Sequence, residues 1–324
     1  MFSDFELLRA YVESRNVAQA DVALVRRAAE AILQGRELDG NERRAADLLR
    51  HLGLAAASMP RRGARVEYRP TPQLARAARG DLTLLAVRLA RWTPMRILLR
   101  YLALKGGEAD LEEAAGELGG LMEDVTGRYL PALRLAYPGL RGPVKKPFNM
   151  HVLEALLLRL GSEVGLLRYE RGAASLAELA DELAEEGQAE VVRTGPRSPV
   201  ILAAVASAAA SGGSVHMASP WIDREVASAL APLIKGRAVV VSRPPREGGH
   251  REALELLSRR GEVLCYAGLH TKAVAGASAV LSSANLVKAS LLRNIETGVY
   301  YRETPTALRL HLEEVAASAR PCPT

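Results

Sequence analysis

The sequence predicts a two-part molecule. Its C-terminal half reads as an α/β domain, a mixed sheet flanked by helices, and its N-terminal half as all-α, with a winged helix as one of two readings for the middle of the chain. Three observations carry this. From Glu190 onward, strand-like runs alternate with helical stretches and end in a hairpin pattern. Before that, apolar residues recur at helical spacing, as in Phe5, Leu8, Tyr11 and Val12, or Val22, Val25, Ala28 and Ile32. Charge is also divided unevenly along the chain. From Arg61 to Lys105 only Glu67 and Asp81 oppose a long series of basic residues, whereas Ala173 to Glu190 is acidic without a Lys or Arg.

Taken in order, residues 1–60 form an N-terminal helical segment, with Asn41 as a cap for a helix through Leu48 and Leu49 to Leu52. The stretch Met59-Pro60-Arg61-Arg62-Gly63-Ala64-Arg65 has the Pro, Gly and charge of a linker or turn. Residues 61–172 are expected to be a basic helical domain that binds nucleic acid. Within it, Thr93-Pro94 starts a helix that stops at Gly106-Gly107. Asp110 to Gly119 has the look of the second helix of a helix-turn-helix, and Glu123 to Tyr137 of a third, broken near Gly127 or Pro131. Gly142 to Pro147 would then be a basic wing. The acidic second helix and Pro131 make a poor recognition surface, so a generic helical domain stands beside the winged helix. Residues 173–189 read as an acidic connecting helix with Leu176, Leu179 and Leu183 on one face. Residues 190–324 are the α/β domain, with strands expected at Glu190–Thr194, Ser214–Ala218, Ala238–Ser242, Glu262–Tyr266, Thr271–Ala275, Ala279–Ser282 and Gly298–Tyr301.

Composition narrows the function classes. No apolar run reaches the roughly 20 residues that cross a bilayer, and the start, Met1-Phe2-Ser3-Asp4-Phe5-Glu6, is unlike a secretory signal. A cytoplasmic protein with no membrane partner is expected. A net charge of +6 favours a polyanionic partner such as DNA. Arg-rich, Cys-poor usage points to a thermophile or a GC-rich genome. Two cysteines make no disulfide framework, and Cys265 reads as a small buried hydrophobe.

The chemistry lies in Leu269-His270-Thr271-Lys272, then Ser282-Ser283-Ala284-Asn285-Leu286, then Asn294-Ile295-Glu296-Thr297-Gly298. His270 and Lys272 are two apart, so in a strand they share a face. Such a pair offers a nucleophilic imidazole and a fixed positive charge to one phosphate. Asn285 would add amide donors, and Glu296 could accept the other imidazole N–H and fix its tautomer. The ordered set His270, Lys272, Ser283, Asn285, Glu296 and Gly298 resembles the phospholipase D superfamily, in its nuclease-like branch. The family's Asp would fall at or near Ala277 and is absent here. Ser214 to Ile222 and Arg237 to Ser242 look like the family's early core strands, so the resemblance covers about residues 190–318.

That resemblance implies catalytic roles for His270, Lys272, Asn285, Glu296 and Ser283, a phosphohistidine intermediate, and no metal or other cofactor. Only one motif is present, and single-motif members of the family build their site at a two-fold axis. A homodimer is therefore implied, each subunit giving one His and one Lys. Nucleic-acid contacts are expected from Arg61, Arg62, Arg65, Arg69, Lys145 and Lys146. His216, His250, Trp221, Lys288 and Arg293 are weaker candidates: His216 reads as a core histidine, His250 as a cap or a solvent-facing residue, and Trp221 as either a base-stacking or a buried side chain. Two functions compete, a metal-independent nuclease or DNA-processing phosphodiesterase, and a catalytically degenerate DNA-binding protein or transcription regulator. In the second, the phospholipase-D-like domain would serve dimerisation or ligand sensing.

Overall fold

The computed structural model describes residues 2–17, 19–59, 65–170, 172–177, 188–195, 197–246 and 248–322. The chain divides into two compact units, Met1–Val125 with Pro143–Glu186, and Thr126–Gly142 with Gly187–Thr324. No described helix is long and apolar enough to cross a membrane.

The first unit begins with α1 (Asp4–Ser14), whose capping box pairs Ser3 with Glu6, and α2 (Val22–Leu33), capped by Asp21. Helix α3 (Gly40–His51) follows; its cap is Asp39 in a box with Glu42, not Asn41. An antiparallel pair, β1 (Ala55–Ser58) and β2 (Glu67–Pro70), comes next. Helices α4 (Leu74–Ala78), α5 (Leu82–Ala90) and α6 (Thr93–Leu104) lead to strand β3 (Glu108–Asp110). The chain stops α6 as expected, with Gly106 and Gly107 both at positive φ. Apolar faces meet inside this unit, where Trp92, Tyr11, Phe5 and Leu48 are fully buried.

The region read as a helix-turn-helix takes a different register. Residues Leu111–Arg128 form one helix, α7, and Leu130–Ala136 a short one, α8, with Pro131 in its first turn. A further helix starts as α9 (Met150–Val152), passes a π-helical turn (Leu153–Leu158) and ends as α10 (Arg159–Glu163). Strands β4 (Leu167–Glu170) and β5 (Ala173–Leu176) complete an antiparallel sheet of order β3-β5-β4. Helix, strand, two helices and a hairpin, with the last strand between the other two, is a winged-helix topology. Its third helix is Met150–Glu163 and its wing the turn between β4 and β5, so Gly142–Pro147 is not the wing. The N-terminal half is consequently not all-α. Ala173–Leu176 is a strand where an acidic helix was expected, and the rest of that expected helix from Glu178 to Gly187 lies outside the described residues.

The second unit is built on a sheet of order β14-β10-β9-β8-β11-β12-β13-β6-β7. In chain order its elements are β6 (Ala189–Gly195), β7 (Ser198–Pro199), α11 (Val200–Ala210), β8 (Val215–Ala218), α12 (Arg224–Leu230), β9 (Ala238–Ser242), α13 (Gly248–Ser258) and β10 (Gly261–Cys265). Then come β11 (Ala273–Ala275), β12 (Ala279–Ser282), α14 (Lys288–Leu292), β13 (Glu296–Tyr301), α15 (Thr306–Ala317) and β14 (Arg320–Pro321). Strands β8, β9 and β10 are parallel and the rest antiparallel. Each strand expected from the sequence is present to within two residues at either end.

Alternation along the strands sorts residues onto two faces. Ala218, Val241, Ala273, Ala275 and Ala279 pack with Leu312 of α15 on one face. Tyr300 lies on the other, where its hydroxyl is 3.4 Å from Ser207 of the buried helix α11. One expectation fails on chemistry. Cys265 and Cys322 form a disulfide with Cα atoms 4.8 Å apart, fastening the C-terminal strand β14 to β10. No spacing rule joins two cysteines 57 residues apart, so the pairing exists only in the fold.

Candidate active site

The site forms where β11, β12 and β13 meet the carboxyl ends of the parallel strands, the end of an α/β sheet at which ligands usually bind. Ala273 pairs with Ala218 and with Leu281, and the ladder runs one step further because Ser282 N donates to Lys272 O at 3.0 Å. Lys272 therefore shares the α11 face with Val274 and Val280. Val280 pairs with Tyr300, so Glu296, on the same alternation as Tyr300, falls on that face too. The strand starts at Ala273, which leaves His270 and Lys272 just ahead of it. His270 is exposed, and its carbonyl accepts from Lys272 Nζ at 2.8 Å, so the ammonium lies against the His270 backbone.

Glu296 is held from two sides. Ser283 Oγ donates to one carboxylate oxygen, and Asn294 Nδ2 to the other at 3.3 Å. Ser283 Oγ in turn accepts from Thr297 N at 3.2 Å, which ties the end of β12 to β13. Ser283 thus serves as a positioning residue for Glu296. Asn285 keeps its side-chain Oδ1 buried without a hydrogen-bond partner among the described residues. A buried polar group left unpaired is costly unless a ligand completes it. The hairpin turn at Gly276 and Ala277 closes the far end of β11. It is braced without a carboxylate: Thr304 N donates to Ala277 O and Thr304 Oγ1 to Gly276 O, both at 2.8 Å.

Electrostatics add a residue that sequence reading missed. Burial pulls the Lys272 ammonium below its ordinary pKa; the Arg243 charge pulls the same way and Glu296 opposes. Arg243 follows the last residue of β9, donates from Nε to Leu269 O at 2.9 Å, and lies 5.8 Å from the Trp221 ring centroid. Neither Lys272 nor Arg243 has a carboxylate partner among the described residues. Two cations without carboxylate partners at one end of the sheet are an arrangement that can take an anion. Nothing in the spacing around Arg243 marks it, because its role depends on β9 and the His270 loop meeting in space.

Gly298 makes the close approach possible. A Cβ there would meet Leu281 O and Ser282 Cβ, each at 2.7 Å. Gly298→Ala is therefore expected to push β13 from β12 and loosen the Ser283–Glu296 contact while the sheet persists, and, if the site hydrolyses a phosphodiester, to lower that activity at least tenfold. Parallel activity and thermal-melting measurements check this; unchanged activity would contradict it.

The weaker candidates separate clearly. His216 is half-buried on the opposite face, near Glu313 and Arg309 of α15, and burial lowers its pKa. His250 is neither a cap nor solvent-facing. It is buried, with Nε2 2.9 Å from Ser242 Oγ and its ring 5.6 Å from Trp221. Trp221 is half-buried between His250 and Arg243. Lys288 and Arg293 flank α14. An open cleft of about 660 Å³ beside the motif is lined by Thr271, Leu281, Ser283 and His311, among others, and His311 Nε2 lies 3.2 Å from Thr271 Oγ1.

Of the residues expected to meet nucleic acid, Arg61 and Arg62 lie outside the described residues. Arg65 pairs with Glu37 at 2.7 Å, and Arg69 approaches Glu67 at 3.9 Å, both arginines well exposed. Lys145 reaches Glu123 at 3.4 Å. Lys146 is turned inward: Nζ donates to Arg15 O at 3.1 Å and to Val17 O at 3.0 Å, and burial lowers its pKa to about 8. It is a structural lysine, unavailable to a phosphate. The basic run is also partly internal, since Arg100 pairs with the buried Glu6 at 2.7 Å and Arg96 lies 3.8 Å from it.

No family model matches the sequence, and no curated protein matches it. Solved structures are similar in outline. A phospholipase D family member, Nuc from Salmonella typhimurium, is 18% identical over 42% of this chain and 99% of its own, with a TM-score of 0.37. NucT from Helicobacter pylori is 15% identical over 41% of this chain and 99% of its own, with a TM-score of 0.34. TrmBL2, an archaeal chromatin protein described as binding DNA, is 14% identical over 98% of this chain and 93% of its own, with a TM-score of 0.30. At those scores the likenesses carry no argument about chemistry. The second unit is a mixed sheet flanked by helices, with Lys272 and Glu296 on one face of it.

Proposed function

We propose that this chain is a metal-independent phosphodiesterase acting on nucleic acid. The observation that carries the reading is the gathering of His270, Lys272 and Glu296 at one end of the sheet beside Arg243 and an uncommitted Asn285. In this reading the His270 imidazole attacks phosphorus. A P–N bond forms as the P–O bond to the leaving oxygen breaks, and that oxygen takes a proton from an acid. Water then gives a proton to the now deprotonated acid as its oxygen bonds to phosphorus, and the P–N bond breaks to release the imidazole. Lys272, Arg243 and Asn285 meet charge that grows on the non-bridging oxygens. Glu296 orients the imidazole and stabilises its cationic form.

The acid is the reading's open requirement, and a second His270 across a two-fold axis fills it, as the single motif implied. His311 Nε2 lies 3.2 Å from Thr271 Oγ1 in the cleft that His270 and Lys272 also line, so His311→Ala separates the two sources of the acid. Light scattering in dilute buffer is therefore expected to give twice the chain mass of 34.8 kDa. A monomer at all concentrations would rule out a second His270 as the acid.

One observation favours the second reading. The winged-helix topology of β3, β4 and β5 belongs to an architecture common in DNA-binding proteins, whichever element docks the duplex, and suits a protein whose phospholipase-D-like unit has lost its reaction. The two readings part on one assay, incubation of single- and double-stranded DNA and RNA with the protein in the presence of chelator. Cleavage supports the enzyme; tight binding without cleavage supports the regulator.

A further inference from the structure

Outside the proposed active site, the first seventy residues carry an arrangement that their sequence did not disclose. Helices α2 and α3 are joined by a short turn and followed directly by the β1–β2 hairpin, a helix-turn-helix with a hairpin after it. Helix α3 buries Ala45, Ala46, Leu48 and Leu49. Its exposed side presents Asn41 and Arg44, three residues apart and so on one face. Arg44 has no ion-pair partner among the described residues. The hairpin bears Arg65 and Arg69, with side chains 76% and 73% exposed. It is fixed to α3 by Tyr68, whose hydroxyl donates to Asp47 at 2.8 Å. Helix and hairpin thus each carry exposed cations, and the Tyr68–Asp47 bond joins the two elements. The Glu37 contact of Arg65 is an exposed ion pair, weak enough for a phosphate to displace.

The helix that would read DNA in the β3–β5 winged helix is unlike this. Its exposed residues include Glu154 and Glu163. Its charged side chains are engaged within the chain: Glu154 accepts from Tyr169 Oη at 3.0 Å, Glu163 accepts from Val22 N at 2.7 Å, Arg159 pairs with Asp21 at 2.9 Å, and His151 lies 3.0 Å from Gln19.

We infer that the α2–α3–β1–β2 module is the DNA-binding winged helix of this chain, with α3 entering the major groove of duplex DNA and the β1–β2 hairpin lying on the phosphate backbone. The twelve residues of α3 suit the major groove of B-form DNA, while the deep, narrow groove of duplex RNA excludes a helix. Asn41 and Arg44 have the side chains that pair with adenine and guanine edges. The inference refines the proposed function by naming where nucleic acid docks, and it holds under the regulator reading as well.

The test is fluorescence anisotropy of a labelled DNA duplex at several salt concentrations, with all variants carrying His270→Ala so that cleavage cannot interfere. Arg44→Glu and Arg69→Glu should each weaken binding tenfold or more, with melting temperatures unchanged. Arg44→Ala should reduce the salt slope by about one. Glu154→Ala, on the Met150–Glu163 helix, should bind like the parent. Wild-type affinity for Arg44→Glu and Arg69→Glu would overturn the inference, as would duplex RNA binding as tightly as duplex DNA. Hydrolysis of bis(p-nitrophenyl) phosphate by the unmutated protein is read separately. If that hydrolysis is absent while DNA binding still depends on Arg44, the proposed reaction falls and this inference stands.

Discussion

His270→Ala is expected to abolish hydrolysis of a phosphodiester in the presence of chelator, leaving less than a thousandth of the wild-type rate, since the step that forms the P–N bond would have no nucleophile. Lys272→Ala and Asn285→Ala should each cost about a hundredfold or more, the scale of removing one group that meets transition-state charge. Arg243→Ala belongs with them: its guanidinium lies at Leu269 O and its charge is felt at Lys272. Glu296→Gln should be milder, because an amide still accepts one hydrogen bond from Ser283. Steady-state rates on bis(p-nitrophenyl) phosphate check the series. Equal rates for wild type and His270→Ala would remove the imidazole from the reaction.

The largest effect on stability is expected at the disulfide. Closing a loop of 57 residues stabilises a fold by about 4 kcal/mol in the chain-entropy account. For a unit of this size, that corresponds to roughly 10 °C in melting temperature. The loop from Cys265 to Cys322 contains His270, Lys272, Ser283, Asn285 and Glu296, though not Arg243. Cys322→Ser, or reduction of the wild type, should therefore lower the melting temperature of the second unit by that order and free β14 from β10. Thermal unfolding with and without reductant measures it. A Cys322→Ser protein that melts with the oxidised wild type would show the bond contributes nothing.

Much of the second unit was legible because strand chemistry is local. A period of two and β-branched runs such as Ala238-Val239-Val240-Val241 mark strands directly, and the spacing of His270 and Lys272 implies a shared side. Arg243, His250 and the disulfide were not legible, since each acts through a partner brought close only by the sheet. The first unit was harder. Pro131 reads as a helix breaker, yet it opens α8, and the insertion from Tyr129 to Asn149 hides the third helix of the β3–β5 winged helix. The hairpin β1–β2 was hidden as well, because Pro60, Gly63 and clustered arginines look like a linker. Lys146 shows why charge counts mislead, for a lysine in a basic run can spend its donors on its own backbone.

The most direct test of the central claim is capture of the covalent intermediate. Wild-type protein would be mixed with bis(p-nitrophenyl) phosphate, quenched within milliseconds, digested and analysed by mass spectrometry under alkaline conditions that preserve P–N bonds. A phosphoryl group still carrying one nitrophenyl ester on the peptide containing His270, absent from His270→Ala, is the predicted result. Turnover of the diester with no adduct on that peptide, or with an adduct that persists in His270→Ala, would contradict it.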